Sequence, residues 1–282
     1  MNVLEALRQG RRLLPPVSEE PVLEAELLLR HCLSLDRTSL YSRLSSELSA
    51  DQEQKYREVI RRRLIHEPTP YILGHKEFFG REFEVAPAAI IPRPETELLV
   101  ELAVDHVDKR APQVELRIAD VGTGCGCIAV SLAKALTGAE IVAIDASEEA
   151  LELARRNAAR HGVIRKITFA CGDLLDALEE PADLIVANLP YIPTSEWRQL
   201  PPEIRDHEPR IALDGGPDGL QMIERLLQQA PVRLNPSGSL FAEIGDRQGR
   251  PAKAAARATF PEAAVKITPD LAGHDRVLEV HT

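Results

Sequence analysis

Apolar residues recur at helical spacing through residues 1–67. Val3, Leu4, Leu7 and Leu14, with Arg11 in register, mark one face that Pro15-Pro16 ends. A second helix runs near Pro21 to Leu33, with Leu23, Leu27, Leu28 and Cys32 in register, and a short third one covers Ser39 to Leu44. A fourth starts at Ser49, where Ser49-Ala-Asp-Gln52 fits a capping box, and continues to about His66. No strand pattern precedes residue 70. Residues 1–67 therefore read as a small helical domain.

Residues 68–94 read as a connector with structure of its own. Pro68, Pro70, Pro87, Pro92 and Pro94 break helix, and Glu77 to Val85 reads as a hairpin turning near Gly80. Three of the six phenylalanines lie in that hairpin, so it is expected to pack against something.

From residue 95 to 282 helices and strands alternate. The expected strands are Leu116–Val121, Glu140–Asp145, Ile167–Cys171, Asp183–Ala187, Gly238–Ile244, Ala264–Ile267 and Arg276–His281. Helices are expected over Glu95–Lys109, Ile128–Leu136, Ser147–Asn157, Gly219–Gln229 and Asp246–Thr259. Helical crossovers between strands require a mostly parallel sheet covered on both faces. The last two strands lack an intervening helix and can pair antiparallel. The fold class is α/β.

Composition narrows the options. The chain has 282 residues, is 44% hydrophobic and 28% charged, and carries a formal net charge of −10. No apolar run approaches the ~20 residues that a membrane span needs. The first residues carry Arg8, Arg11 and Arg12 without an apolar core, which reads as an amphipathic helix and not a leader peptide. The acidic balance argues against general binding to a nucleic-acid backbone. Tyr56 to Leu64 is locally positive and reads as a solvated helix face. Cys32, Cys125, Cys127 and Cys171 show no paired metal spacing and sit in apolar settings, so reduced, buried thiols of a cytosolic protein are expected. His66, His75, His207 and His274 show no metal spacing either, and no metal site is expected.

Two clusters carry the chemistry. Gly122-Thr-Gly-Cys-Gly126 joins a strand to a helix, where glycines allow a tight turn and close approach of a ligand. The next strand ends nineteen residues after Gly126 (145 − 126) in Asp145, placed to accept from ribose hydroxyls. The GxGxG spacing differs from the GxGxxG of dinucleotide folds, so a nucleoside ligand is the better reading and a dehydrogenase the weaker one. Asp173 and Leu174 close the third strand; they read as an adenine contact or as a plain turn. The second cluster is Asn188-Leu-Pro-Tyr191, after a buried strand. An amide, a stiff turn and an aromatic ring suit a planar NH2 group.

These segments together resemble the HemK/PrmC family of protein-glutamine N5-methyltransferases over nearly the whole chain. The resemblance rests on Pro70–Gly74, Ile91–Glu97, Asp120–Gly126, Asp183–Tyr191, Glu208–Leu213, Gly215–Leu220 and Glu243–Gly245. It implies a Rossmann-like class I fold with S-adenosylmethionine as donor and S-adenosylhomocysteine as product. Gly122, Thr123, Gly124, Cys125, Gly126, Asp145, Asp173, Leu174 and Asn188 are then the donor contacts, and Asn188, Leu189, Pro190 and Tyr191 the reaction site. The implied partner is a peptide chain release factor, methylated in the cytoplasm at the glutamine of its Gly-Gly-Gln tip. Amide nitrogen is a poor nucleophile, so the Asn188 side-chain oxygen and the Leu189 carbonyl are expected to accept both N–H groups and orient it. Tyr191 packs on the flat amide and Pro190 stiffens the turn.

The family usually reads Asn-Pro-Pro-Tyr; here the second position is Leu189. That form is similar to ribosomal RNA adenine dimethyltransferases, which leaves adenine methylation of RNA or DNA as an alternative. A donor-binding scaffold without activity is a third reading. Arg93 and Glu95 are expected to position the substrate loop or to pair with each other and cap the helix.

Overall fold

The computed structural model describes residues 1–109 and 116–282. The chain divides into two compact units, one of residues 1–75 with 201–207, the other of residues 76–200 with 208–282.

The first unit contains helices α1 (Val3–Leu13), α2 (Pro21–Leu33), α3 (Arg37–Ser42), α4 (Ala50–Leu64) and α5 (Thr69–Leu73). Reciprocal capping boxes start α1 at Asn2 and α4 at Ser49. Leu7, Leu14, Leu28, Leu29, Leu40 and Tyr56 are fully buried at its centre. Pro70 does not prevent α5, because a proline in the first turn removes only an amide that has no helical partner. The positive segment of α4 is not uniformly solvated. Arg57 and Arg61 make exposed pairs with Glu53 and Glu58, but Arg63 is 2% exposed. It pairs with Glu24 at 2.8 Å and with Glu203 at 2.9 Å, and donates to the Val17 carbonyl.

Strands β1 (His75–Phe78), whose first residue falls in the first unit, and β2 (Arg81–Glu84) form the expected hairpin, turning through Phe79-Gly80, both at positive φ. Phe78 and Phe83 are buried in the core. Then follow α6 (Glu97–Asp108), β3 (Leu116–Val121), α7 (Cys127–Ala135), β4 (Ala139–Asp145), α8 (Glu148–Arg160), β5 (Ile167–Cys171) and β6 (Ala182–Ala187). The short α9 (Thr194–Trp197) follows, and α10 (Pro202–Arg205) lies in the first unit. The chain ends with α11 (Gln221–Gln229), β7 (Leu234–Glu243), α12 (Gly249–Thr259), β8 (Ala264–Pro269) and β9 (Asp275–His281).

The seven-stranded sheet has the order β5-β4-β3-β6-β7-β9-β8. β5, β4, β3, β6 and β7 are mutually parallel, and β9 is antiparallel to both β7 and β8. Alternate residues serve opposite faces. Ile118, Leu184 and Val186 join the cluster with α6 and α7, whereas Ala119, Ile185 and Ala187 join the cluster with α11 and α12. Burial on both faces explains why these strands read as continuous apolar runs. β7 begins at Leu234, before the expected Gly238, because an irregularity in its pairing with β6 lets Leu234 align with Ala182. The strand order reverses between β3 and β6, and the crevice at their carboxyl ends is where open α/β sheets bind ligands.

Candidate active site

Five parallel strands deliver their carboxyl ends along this edge of the sheet. β3 leads into Gly122–Gly126, β4 ends at Asp145, β5 precedes Asp173, β6 precedes Asn188, and β7 ends at Glu243.

The glycine turn is held from both sides. Amides of Gly122 and Thr123 donate to the Ile144 carbonyl, at 2.8 and 2.9 Å. The Gly124 amide donates to Asp145 Oδ2 and the Ser147 amide to Asp145 Oδ1, each at 2.9 Å. Burial pushes the Asp145 carboxyl up, against these backbone donors. Gly126 has φ 81°, and a Cβ there would stand 2.9 Å from the Cβ of Ala154. Only glycine lets α7 start this close to α8.

Below the turn, Asp120 is completely buried. Its Oδ2 accepts from Thr123 Oγ1 at 2.6 Å and from the Ala129 amide at 3.0 Å, while Oδ1 has no partner. Burial raises its carboxyl to about 7. Cys125 and Cys127 are buried as expected, but Cys171 is exposed, because β5 is an edge strand and Cys171 is its last residue. Cys125 also offers its carbonyl to Asn157 Nδ2 at 2.8 Å. Asn157 pairs as well with the backbone N–H and carbonyl of Glu84, so it ties the hairpin to the glycine turn.

Asp173 is paired with Arg225. Leu174 has φ 53° and is buried in the cluster beneath the sheet. The structure thus gives both residues local partners beside the site.

At the end of β6, Asn188 Nδ2 donates to Thr96 Oγ1 at 3.0 Å. Among the described residues, no donor reaches Asn188 Oδ1 or the Leu189 carbonyl. Leu189 is buried, its side chain packed over the glycine turn; a Cβ on Gly122 would lie 2.9 Å from Leu189 Cδ2. Tyr191 donates its hydroxyl to Glu243 Oε1 at 3.2 Å. Its carbonyl accepts from Gln248 Nε2 at 2.8 Å. Burial drives the Tyr191 hydroxyl well above its ordinary range.

Ile91–Glu97 acts as a hub. Glu208, itself buried, accepts from the Ile91 amide at 3.1 Å and from Arg93 Nη2 at 2.5 Å. Arg93 thus pairs with Glu208, not with Glu95. Thr96 reaches Asn188, and Glu97 accepts from the Phe79 amide at 2.8 Å. Thr96 and Glu208 lie in segments that carry the resemblance but were given no role from the sequence, and neither were Asn157 and Gln248; the contacts that tie these four to the site span from 30 to 117 positions.

Comparison with known proteins accounts for both units. The PrmC N-terminal domain model matches residues 5–74 and a methyltransferase domain model matches residues 118–207. A release factor glutamine methyltransferase of Moorella thermoacetica is 42% identical over 98% of this chain and 97% of its own. The chain belongs to the release factor glutamine methyltransferase family. A second relative of that name, from Bacillus anthracis, is 35% identical over 99% of this chain and 98% of its own. The fold is shared with more distant methyltransferases. One from Pyrococcus furiosus is 19% identical with a TM-score of 0.53 over 73% of this chain and 91% of its own. The N-terminal domain of human METTL16 in complex with SAH is also 19% identical, with a TM-score of 0.51 over 72% of this chain and 76% of its own. As a member of the family, the chain is an S-adenosylmethionine-dependent protein-glutamine methyltransferase. The architecture is that of a class I methyltransferase sheet. Among the described residues no cluster of His, Cys, Asp and Glu is arranged to hold a metal, and no helix is long and apolar enough to cross a membrane.

Proposed function

We propose that the chain methylates the side-chain amide nitrogen of the glutamine in the Gly-Gly-Gln tip of peptide chain release factors, in the cytoplasm. The observation that carries this reading is the pair of open acceptors, Asn188 Oδ1 and the Leu189 carbonyl, beside the glycine turn. A primary amide has two N–H donors, and these two oxygens match them.

The residues of the turn fit the donor. A Cβ on Gly124 would find nothing nearer than 3.6 Å, so the backbone there is open to a ligand. Asp145 offers a half-buried carboxylate at the end of β4, and Asp120 Oδ1 is a buried oxygen without a partner. In this reading Gly122–Gly126 and Asp145 hold the nucleoside and methionine parts, and Asp173 and Leu174 border the base. The donor's sulfonium supplies an electrophilic methyl group.

What the chain adds is orientation. Two accepted N–H groups fix the plane of the acceptor amide and keep its nitrogen lone pair clear. Holding reacting groups in line is worth several kcal/mol, of order 7–11 in favourable cases. Pro190 limits the turn and Tyr191, anchored through Glu243, offers its ring to the flat amide. Leu189 acts through its carbonyl, so leucine in place of the usual proline retains the acceptor.

The test is transfer of labelled methyl from the donor to an isolated release factor, with the product mapped by mass spectrometry. Label on the Gly-Gly-Gln glutamine supports the reading. Label on RNA with none on the protein overturns it.

A further inference from the structure

Gln248 and the Gly215–Leu220 loop hold the main chain of Tyr191 without belonging to the Asn188–Tyr191 segment. β7 ends at Glu243, and a turn over Gly245–Gln248 leads into α12. The Gln248 amide closes that turn on the Gly245 carbonyl at 3.0 Å. Its side chain folds back, and Oε1 accepts from the Gly245 amide at 2.8 Å. A Cβ on Gly245 would stand 3.1 Å from that oxygen, so glycine leaves room for the return. Nε2 donates to two carbonyls, of Tyr191 at 2.8 Å and of Asp218 at 3.2 Å. Gln248 is buried, so little water reaches these bonds. The loop comes as close. A Cβ on Gly215 would lie 2.6 Å from the Pro190 carbonyl oxygen and 2.8 Å from Tyr191 Cα. The Ile192 amide donates to the Leu213 carbonyl at 3.0 Å, and the Gly215 amide to the Ile192 carbonyl at 2.8 Å. One side chain therefore joins three segments: the chain after β6, the Gly215–Leu220 loop and the entry to α12.

We infer that Gln248 is a positioning residue for methyl transfer, a staple that sets the Leu189–Tyr191 main chain against the Gly215–Leu220 loop. The inference rests on the reading that Asn188–Tyr191 receives the acceptor amide. The partners of the Gln248 amide admit one orientation. A reversed amide would aim NH2 at the Gly245 N–H and oxygen at two carbonyls. The amide so fixed holds the Tyr191 carbonyl, two residues after the Leu189 carbonyl. Pro190 locks one of the dihedrals between them. The Leu189 oxygen and the Tyr191 ring thus take their places from a hydrogen bond made outside the reaction site.

The staple gives the Gly215–Leu220 segment a role. Its glycines let the loop reach the backbone of Pro190 and Tyr191, and Gln248 ties the loop there through Asp218. A misplacement of about 1 Å in the reacting geometry costs about a hundredfold in rate, so a modest shift of this main chain is enough to slow transfer. The glycine turn and Asp145 lie at the ends of β3 and β4, outside the three segments that Gln248 joins. Loss of the staple therefore falls on turnover and leaves donor binding in place.

The experiment uses the full chain, S-adenosylmethionine and an isolated release factor. Calorimetry with S-adenosylhomocysteine gives the donor affinity and the number of folded sites, to which kcat is referred. Gln248→Met keeps the length and removes every side-chain hydrogen bond. Gln248→Glu keeps the acceptor for Gly245 and, when ionised, sets a charge against two carbonyls. When protonated, the new carboxyl can donate to the Tyr191 carbonyl, and burial raises it toward neutral pH. Gln248→Met is expected to lower kcat about thirtyfold with S-adenosylhomocysteine affinity within about threefold, a loss confined to the transition state. Gln248→Glu is expected to match it near pH ~9 and, relative to the parent, to recover at least about fivefold near pH ~6. Parent-like kcat in either variant at the alkaline end, or a loss in Gln248→Glu that stays level across pH, overturns the inference. A loss of donor affinity as large as the loss of kcat also overturns it, because Gln248 then serves the fold at large. An inactive Asn188→Ala beside any of these results leaves the reading of the site standing, and parent-like kcat in Asn188→Ala overturns both. Should Gln248→Met fail to fold, the pH profile of Gln248→Glu decides alone.

Discussion

Gly219 faces the backbone of Tyr191 so closely that a Cβ added to it would stand 2.1 Å from the Tyr191 carbonyl oxygen. Gly219 also has φ 78°, where side chains are strained. Gly219→Ala is therefore expected to displace Tyr191 as well as to strain the turn. The dihedral alone costs about 1–3 kcal/mol, and the contact adds to it. Melting should fall by at least about 5 °C and kcat by at least about tenfold. Gly138→Ala is the control, since Gly138 has φ 90° with nothing within 4 Å of its Cβ position. It should lose stability and keep turnover.

Both oxygens of Asp145 accept backbone amides, from Gly124 and Ser147. Asp145→Asn preserves size but turns an NH2 group toward one of those donors. The turn should open and the nucleoside contact should be lost together. Affinity for S-adenosylhomocysteine is expected to drop at least about tenfold, equivalent to about 1.4 kcal/mol, measured by calorimetry. Unchanged affinity removes Asp145 from the donor site.

Asp120 makes stability depend on pH. Its carboxyl titrates at about 7 when folded and near 3.9 when unfolded. Between these values the folded chain holds a proton that the unfolded chain has lost, so the contribution of Asp120 to stability is greatest below pH ~4 and falls as pH rises toward 7. The full span corresponds to about 4 kcal/mol. Asp120→Asn keeps an oxygen for Thr123 and Ala129 and removes the buried charge. Urea denaturation of ligand-free protein at a series of pH values should show the variant gaining on the parent from pH 4 to 7 and holding that gain above. Parallel curves for the two proteins rule this out.

Arg63 organises the first unit, where it joins Glu24, Glu203 and the Val17 carbonyl. Removing one member of a buried pair costs about 3–5 kcal/mol. Glu203 is 40% exposed, so a loss of about 2–4 kcal/mol is expected for Arg63→Met. Thermal melting and protease sensitivity of residues 201–207 report it. Melting within 2 °C of the parent rejects a structural role.

Much of the second unit was legible because each strand buried on both faces leaves an uninterrupted apolar run, as in Leu184–Ala187. The glycine turn was legible because Gly122–Gly126 joins a strand to a helix and the next strand ends in Asp145. The surroundings of Asn188 were not. Thr96 is one threonine in a proline-rich segment, and nothing local marks it as the partner of a residue 92 positions away. Helices α9 and α10 span four residues each, too short to display a period. Arg63 looked like one of several solvent-facing cations, because tertiary burial of a single position leaves the composition of its helix unchanged.

β9 lies between β7 and β8 although it follows both in the chain. During synthesis, β8 emerges before the strand that pairs it to the sheet, and β7 waits with one edge open. The ribosome must therefore deliver residues 275–281 before this end of the sheet can close. Until then, the strand that ends in Glu243, the partner of Tyr191, is unpaired along one side.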